Sequence, residues 1–107
     1  MPKFLIQASY TAEGMRGLLK EGGTKRRASV EQLVESVGGT LEAFYFGFGS
    51  DDVYMILDAP DNVSVAAASV TTGAAGAATN VRTSVLLTPE DIDQAVRKTV
   101  IYRPAGQ

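Results

Sequence analysis

Thr40–Ala59 reads TLEAFYFGFGSDDVYMILDA, and this stretch decides the fold. Thr40 to Phe48 is rich in aromatic residues and alternates, which predicts a strand. Val53 to Ala59 predicts a second strand. Between them Gly47, Gly49, Ser50, Asp51 and Asp52 supply turn chemistry, so the pair forms a hairpin. On a strict period of two, Leu41, Ala43 and Tyr45 face one side, and Phe44, Phe46 and Phe48 the other. Val53, Met55 and Leu57 likewise oppose Tyr54 and Ile56. A half-solvated sheet reads apolar on one face and polar on the other. These two strands are apolar on both, so something must cover each face.

Working outward, Phe4, Ile6, Ala8 and Tyr10 alternate with Lys3, Leu5, Gln7 and Ser9 as a first strand. Thr11 can cap a short helix carrying Met15, Leu18 and Leu19. Gly22-Gly23 interrupts it. A further helix is expected from about Thr24, with Val30, Leu33, Val34 and Val37 at helical spacing. Gly38-Gly39 ends it. Beyond the hairpin, Pro60-Asp61-Asn62 opens a helix whose buried face is expected at Val63, Ala66, Ala67 and Val70, closed by Gly73 and Gly76. Val81, Thr83, Val85 and Leu87 form a fourth strand. Thr88-Pro89-Glu90-Asp91 starts a last helix, since Thr88 caps and Pro89 suits the first turn. The tail from Val100 to Gln107 is expected to be extended.

The order β-α-β-β-α-β-α predicts an α+β fold of the ferredoxin-like βαββαβ type, with an extra C-terminal helix. Right-handed crossovers place both main helices on one side of a four-stranded antiparallel sheet. The chain has 107 residues, which fits one domain, 1–107. A domain of this size buries roughly 60 to 70% of its unfolded surface, enough for a thin core. Three Phe beside a Tyr and an Ile make a patch of the kind that marks interfaces. Phe44, Phe46, Phe48 and Ile56 are therefore expected at a homo-oligomer interface, since an isologous patch covers both copies at once.

The chain has 10 Lys and Arg against 12 Asp and Glu, a net charge of −2, so no global field draws nucleic acid or an anionic membrane. No apolar run reaches the length of a membrane span. The N-terminus opens straight into a strand pattern without a signal peptide, which predicts the cytoplasm. There is no Cys and no His, so disulfides, thiolate chemistry and Cys/His zinc sites are excluded. Any proton transfer would fall to a carboxylate, Tyr or Lys. No cofactor and no metal are expected, and no catalytic residue stands out.

In order and spacing these segments resemble the GYD-domain family of small bacterial proteins, over nearly the whole length. The resemblance is carried by Thr11-Ala12-Glu13-Gly14, by Gly38-Gly39-Thr40-Leu41-Glu42-Ala43-Phe44-Tyr45, and by Gly49-Ser50-Asp51-Asp52-Val53-Tyr54. Ala59-Pro60-Asp61 and Val81-Arg82-Thr83 also match. Gly49 and Asp52 stand as the outer members of the Gly-Tyr-Asp element, and Ser50-Asp51 stand where its aromatic is expected. The resemblance implies the dimeric α/β-barrel group, hence a barrel-like association of two chains. That group includes small isomerases, heme-degrading and quinone-forming monooxygenases, and sensor or effector-binding modules.

Four polar side chains on strands are the candidates to line a ligand cleft between sheet and helices: Tyr10, Tyr45, Tyr54 and Arg82. The alternative is an aromatic core with polar tips. Lys25, Arg26 and Arg27 sit at a helix start, where the dipole disfavours cations, so they are candidates for anion binding. The alternative is a solvated first turn with Arg27 paired to Glu31. Asp51 and Asp52 read as a solvated turn. Three functional readings stand open: a binding module for a small apolar or aromatic ligand, a structural or protein-interaction module, and an isomerase or monooxygenase-like enzyme. The first is favoured.

Overall fold

Lys3–Tyr10 (β1) is the strand on which the rest of the molecule is built. In the computed structural model, which describes residues 1–107, it runs through the middle of a four-stranded antiparallel sheet. Ala12–Glu21 (α1) and Gly23–Ser36 (α2) follow, then Thr40–Phe46 (β2) and Val53–Asp58 (β3). Asn62–Ala75 (α3), Ala78–Leu86 (β4) and Pro89–Val96 (α4) complete the chain. The strand order is β2-β3-β1-β4, which is the ferredoxin-like arrangement with extra helices α1 and α4. No helix is long and apolar enough to cross a membrane.

Register explains the core. Phe4 lies between Leu57 of β3 and Val85 of β4, and Ile6 between Met55 and Thr83. These residues face α2, which covers β2, and α3, which covers β4. Phe4, Ile6, Val34, Leu41, Leu57, Ala59 and Val65 form one buried cluster. Each fully buried large apolar side chain there stabilises the fold by about 1.5–3 kcal/mol. The turn after α2 needs glycine at one point, where Gly38 takes φ +84°. Gly39 then donates to the Val34 carbonyl at 3.0 Å, closing the helix.

Three expectations are corrected. First, the sheet is open, with β2 and β4 as free edges, so it is not closed into a barrel and the barrel-like association does not describe it. Four strands are about half the number that closes a small barrel.

Second, β2 does not keep a strict period of two. A bulge lies between Leu41 and Ala43, where the register shifts. The extra residue brings Leu41 onto the helix-covered face together with Phe44 and Phe46, opposite Leu57, Met55 and Val53. Ala43, Tyr45, Tyr54 and Ile56 share the open face instead. Phe48 lies beyond β2, fully exposed in the turn.

Third, the buried side of α3 is Val65, with Ala68, Ser69 and Thr72 beside it, whereas Val63 and Val70 are exposed. Val63 and Val70 share one side of the helix and Val65 lies on another, so the spacing supports more than one stripe.

Residues 87–107 stand apart from this body. No residue of α4 is buried, and Val96, Val100, Ile101 and Tyr102 are all exposed. The radius of gyration is 17.0 Å. A compact chain of this length has about 13 Å.

Candidate functional site: a cleft between sheet and helices

Between the sheet and the helices α2 and α3 lies an apolar cleft of ≈ 330 Å³. Its floor is β1 and β3, through Ile6, Ala8, Val53 and Met55. Its walls are Val30, Leu33 and Val34 of α2 and Val65, Ala68 and Thr72 of α3. The small residues of α3 make the space, because Ala68 and Ala75 face it where larger side chains would fill it. The Thr71 and Thr72 hydroxyls are engaged, donating to the carbonyls of Ala67 (2.8 Å) and Ala68 (3.1 Å).

Arg26 is the one charged residue in the lining. It stands on the first turn of α2. That helix begins at Gly23 without a side-chain cap. A Cβ at position 23 would lie 3.1 Å from the Phe46 ring, so the glycine lets the helix start close over the sheet. Glu21 Oε1 lies 3.0 Å from Arg26 Nε, yet off the N–H direction. The Nε donor is buried and has no hydrogen-bond acceptor. The Glu21 carboxylate balances the guanidinium charge, and the Arg26 side chain stays partly exposed.

Tyr10 lines the same cleft, its ring 6.5 Å from that of Phe46, which in turn meets Phe44 edge-on at 5.1 Å. Burial pushes the Tyr10 phenol above its ordinary pKa, while the nearby Arg26 charge pulls it down and Glu21 and Asp52 add to the rise. The phenol therefore stays protonated near neutral pH and can donate a hydrogen bond.

The other candidates lie elsewhere. Tyr45, Tyr54 and Arg82 are on the open face, so the four proposed cleft residues are split between two surfaces. There they form a transverse row, Tyr45–Tyr54–Gln7–Arg82, across all four strands. Lys25 and Arg27 point to solvent, and Arg27 meets Glu31 at 3.4 Å. Of the three basic residues only Arg26 enters the cleft. Of the interface candidates, Phe44 and Phe46 are on the helix side, Ile56 on the open face and Phe48 in the turn.

Asp51 is the residue that the sequence conceals. It reads as a solvated turn, yet it is 1% exposed. Its carboxylate meets the Arg82 guanidinium and accepts from Gln7 Nε2 at 3.2 Å. Asp52 accepts from the backbone N–H of Tyr10 at 2.9 Å, and its own N–H donates to Ala8 O at 2.9 Å. The hairpin turn thus docks on the end of β1. The only hint in the sequence is an Arg and a Gln on strands, whose pairing with Asp51 depends on long-range register. No three His, Cys, Asp or Glu side chains converge as a metal-holding group.

An open ferredoxin-like sheet with an apolar cleft under its two main helices defines a small α/β domain. The GYD-domain family model matches residues 4–96, and the chain belongs to the GYD-domain family. The crystal structure of MtbAldR is similar in fold, with a TM-score of 0.54 at 16% identity. That alignment covers 81% of this chain and 52% of the other, so the present chain spans about half of that protein. No curated protein is significantly similar in sequence.

Proposed function

We propose that this domain is a binding module for a small apolar or aromatic molecule held between sheet and helices. The observation that carries the reading is the cleft itself. It is of ligand size and its walls are predominantly apolar, with Arg26 and Tyr10 as polar handles. A thermal-shift screen with a panel of apolar and aromatic compounds tests it. A ligand at one hundred times its Kd should raise stability by about 2.7 kcal/mol. Ala68→Phe, which fills the cleft, should abolish the response while the variant still folds. Failure of a broad panel to shift the melting temperature would refute the reading.

A second reading concerns assembly and is compatible with the first. The chain works as a homo-oligomer, supported by Leu5, Ala43, Tyr45 and Ile56 on the open face and by the exposed apolar residues beyond β4. Tyr45 is 70% exposed and Ile101 98%. A second copy is the simplest partner, because a two-fold contact covers both sets of surfaces. With a net charge of −2 we place neither nucleic acid nor membrane among its partners.

A further inference from the structure

We infer that the ligand of the cleft is an amphipathic carboxylate, its apolar body between sheet and helices and its anionic head on the Nε edge of Arg26. The inference rests on the cleft reading and adds the chemical class. Three observations meet at one place. The lining is overwhelmingly apolar, so the bulk of the ligand is apolar. Its one charged side chain is a cation. The Nε of that cation is buried and makes no hydrogen bond, with only the Glu21 carboxylate at 3.0 Å beside it.

A guanidinium presents Nε–H and a neighbouring Nη–H as one planar edge, which matches the two oxygens of a carboxylate. Glu21 holds part of the charge at 3.0 Å but leaves the donor direction free. Tyr10 lines the same space. A neutral oxygen would accept from Arg26 without balancing its charge or using both donors of that edge, and a cationic head would be repelled by it. A cavity of ≈ 330 Å³ holds roughly ten non-hydrogen atoms, so the ligand is small.

Isothermal titration of the full chain with octanoate, 1-octanol and octylammonium tests this. Octanoate should bind about tenfold more tightly than octanol or better, and octylammonium most weakly. Arg26→Gln should remove the preference, so that octanoate and octanol bind alike. Arg26→Lys should retain part of it. Glu21→Gln, which frees Arg26 from a competing carboxylate, should tighten octanoate alone. Lys25→Gln and Arg27→Gln should leave the preference intact.

Equal binding of octanoate and octanol by the native chain would overturn the inference and leave the cleft reading standing. So would a preference that survives Arg26→Gln, or one lost equally with Arg27→Gln. If none of the three probes binds, the inference falls; the cleft reading falls with it only where the broad thermal-shift panel also fails. Circular dichroism melts on each variant separate loss of binding from loss of fold.

Discussion

Asp51 and Arg82 differ in how much solvent reaches them, and the difference makes their ion pair asymmetric. The Asp51 side chain is 2% exposed and that of Arg82 49%. Arg82→Met strands a buried carboxylate with Gln7 as its remaining side-chain partner. Breaking a fully buried pair costs about 3–5 kcal/mol, and the half-exposed partner lowers this to about 2–3 kcal/mol. Asp51→Asn leaves a cation that water can solvate and keeps an acceptor for Gln7, so about 1 kcal/mol is expected. Urea unfolding of the two variants checks the order, and a larger loss for Asp51→Asn would sink the argument. Gly14 gives a second test at this scale. It is buried in α1, and a Cβ there would collide with the backbone carbonyl of Ala77. Helix propensity alone favours Gly14→Ala by about 1 kcal/mol. Backbone cannot yield as a side-chain tip can, so overpacking should win with a net loss of about 1–3 kcal/mol. A gain in melting temperature for Gly14→Ala would show that α1 is free to lift off the sheet.

The elements follow their sequence signals wherever those signals are local. Asp61 caps α3, its Oδ1 accepting from Ser64 N at 2.8 Å, and Thr88 with Asp91 forms a capping box on α4. These contacts span only three residues, so spacing alone reveals them. What is not local is hidden. The bulge beside Glu42 depends on pairing with β3, and it moves Leu41 across the sheet from where alternation puts it. The stripe of α3 depends on which of several valines meets β4. Arg26 reads as one of three basic residues until the crossover turns it toward the sheet. The cap on α3 carries a pH prediction. Hydrogen bonding to Ser64 holds the Asp61 carboxyl below its ordinary pKa of 3.8. A depressed carboxylate contributes stability that is present above its unfolded pKa and lost as pH falls through the folded one. The native chain should therefore lose stability as pH drops below about 3.8. Asp61→Asn keeps an acceptor at the cap but does not titrate. Its melting temperature should change little at pH 7 and fall less steeply in acid. Parallel acid limbs for the native chain and Asp61→Asn would place the titration elsewhere.

At the scale of the whole molecule, the C-terminal segment has no packing reason to exist in a lone chain. A helix of eight residues is marginal in water even with good caps, because nucleation outweighs so few hydrogen bonds. Yet α4 carries a capping box and an apolar side with Ile92 and Val96, followed by Val100, Ile101 and Tyr102, and it buries none of them. The molecule is 57 Å long and 32 Å wide, so the segment reaches away from its own sheet rather than folding back to cover Leu5 and Ile56. Two chains related by a two-fold axis can each offer this segment and an open sheet face to the other. In that case ending the chain at Leu87 removes interface but no intrachain core. Sedimentation should show the full chain as a dimer and residues 1–87 as a monomer, with the shorter form melting lower and its melting temperature no longer rising with protein concentration. Tyr45→Lys with Ile56→Lys should dissociate the full chain in the same way, since two charges cannot be buried without partners. A full chain that stays monomeric at high concentration would mean that the open face and the C-terminal segment wait for a different protein. A dimer that survives the truncation but not the two lysines would assign the contact to the sheet alone.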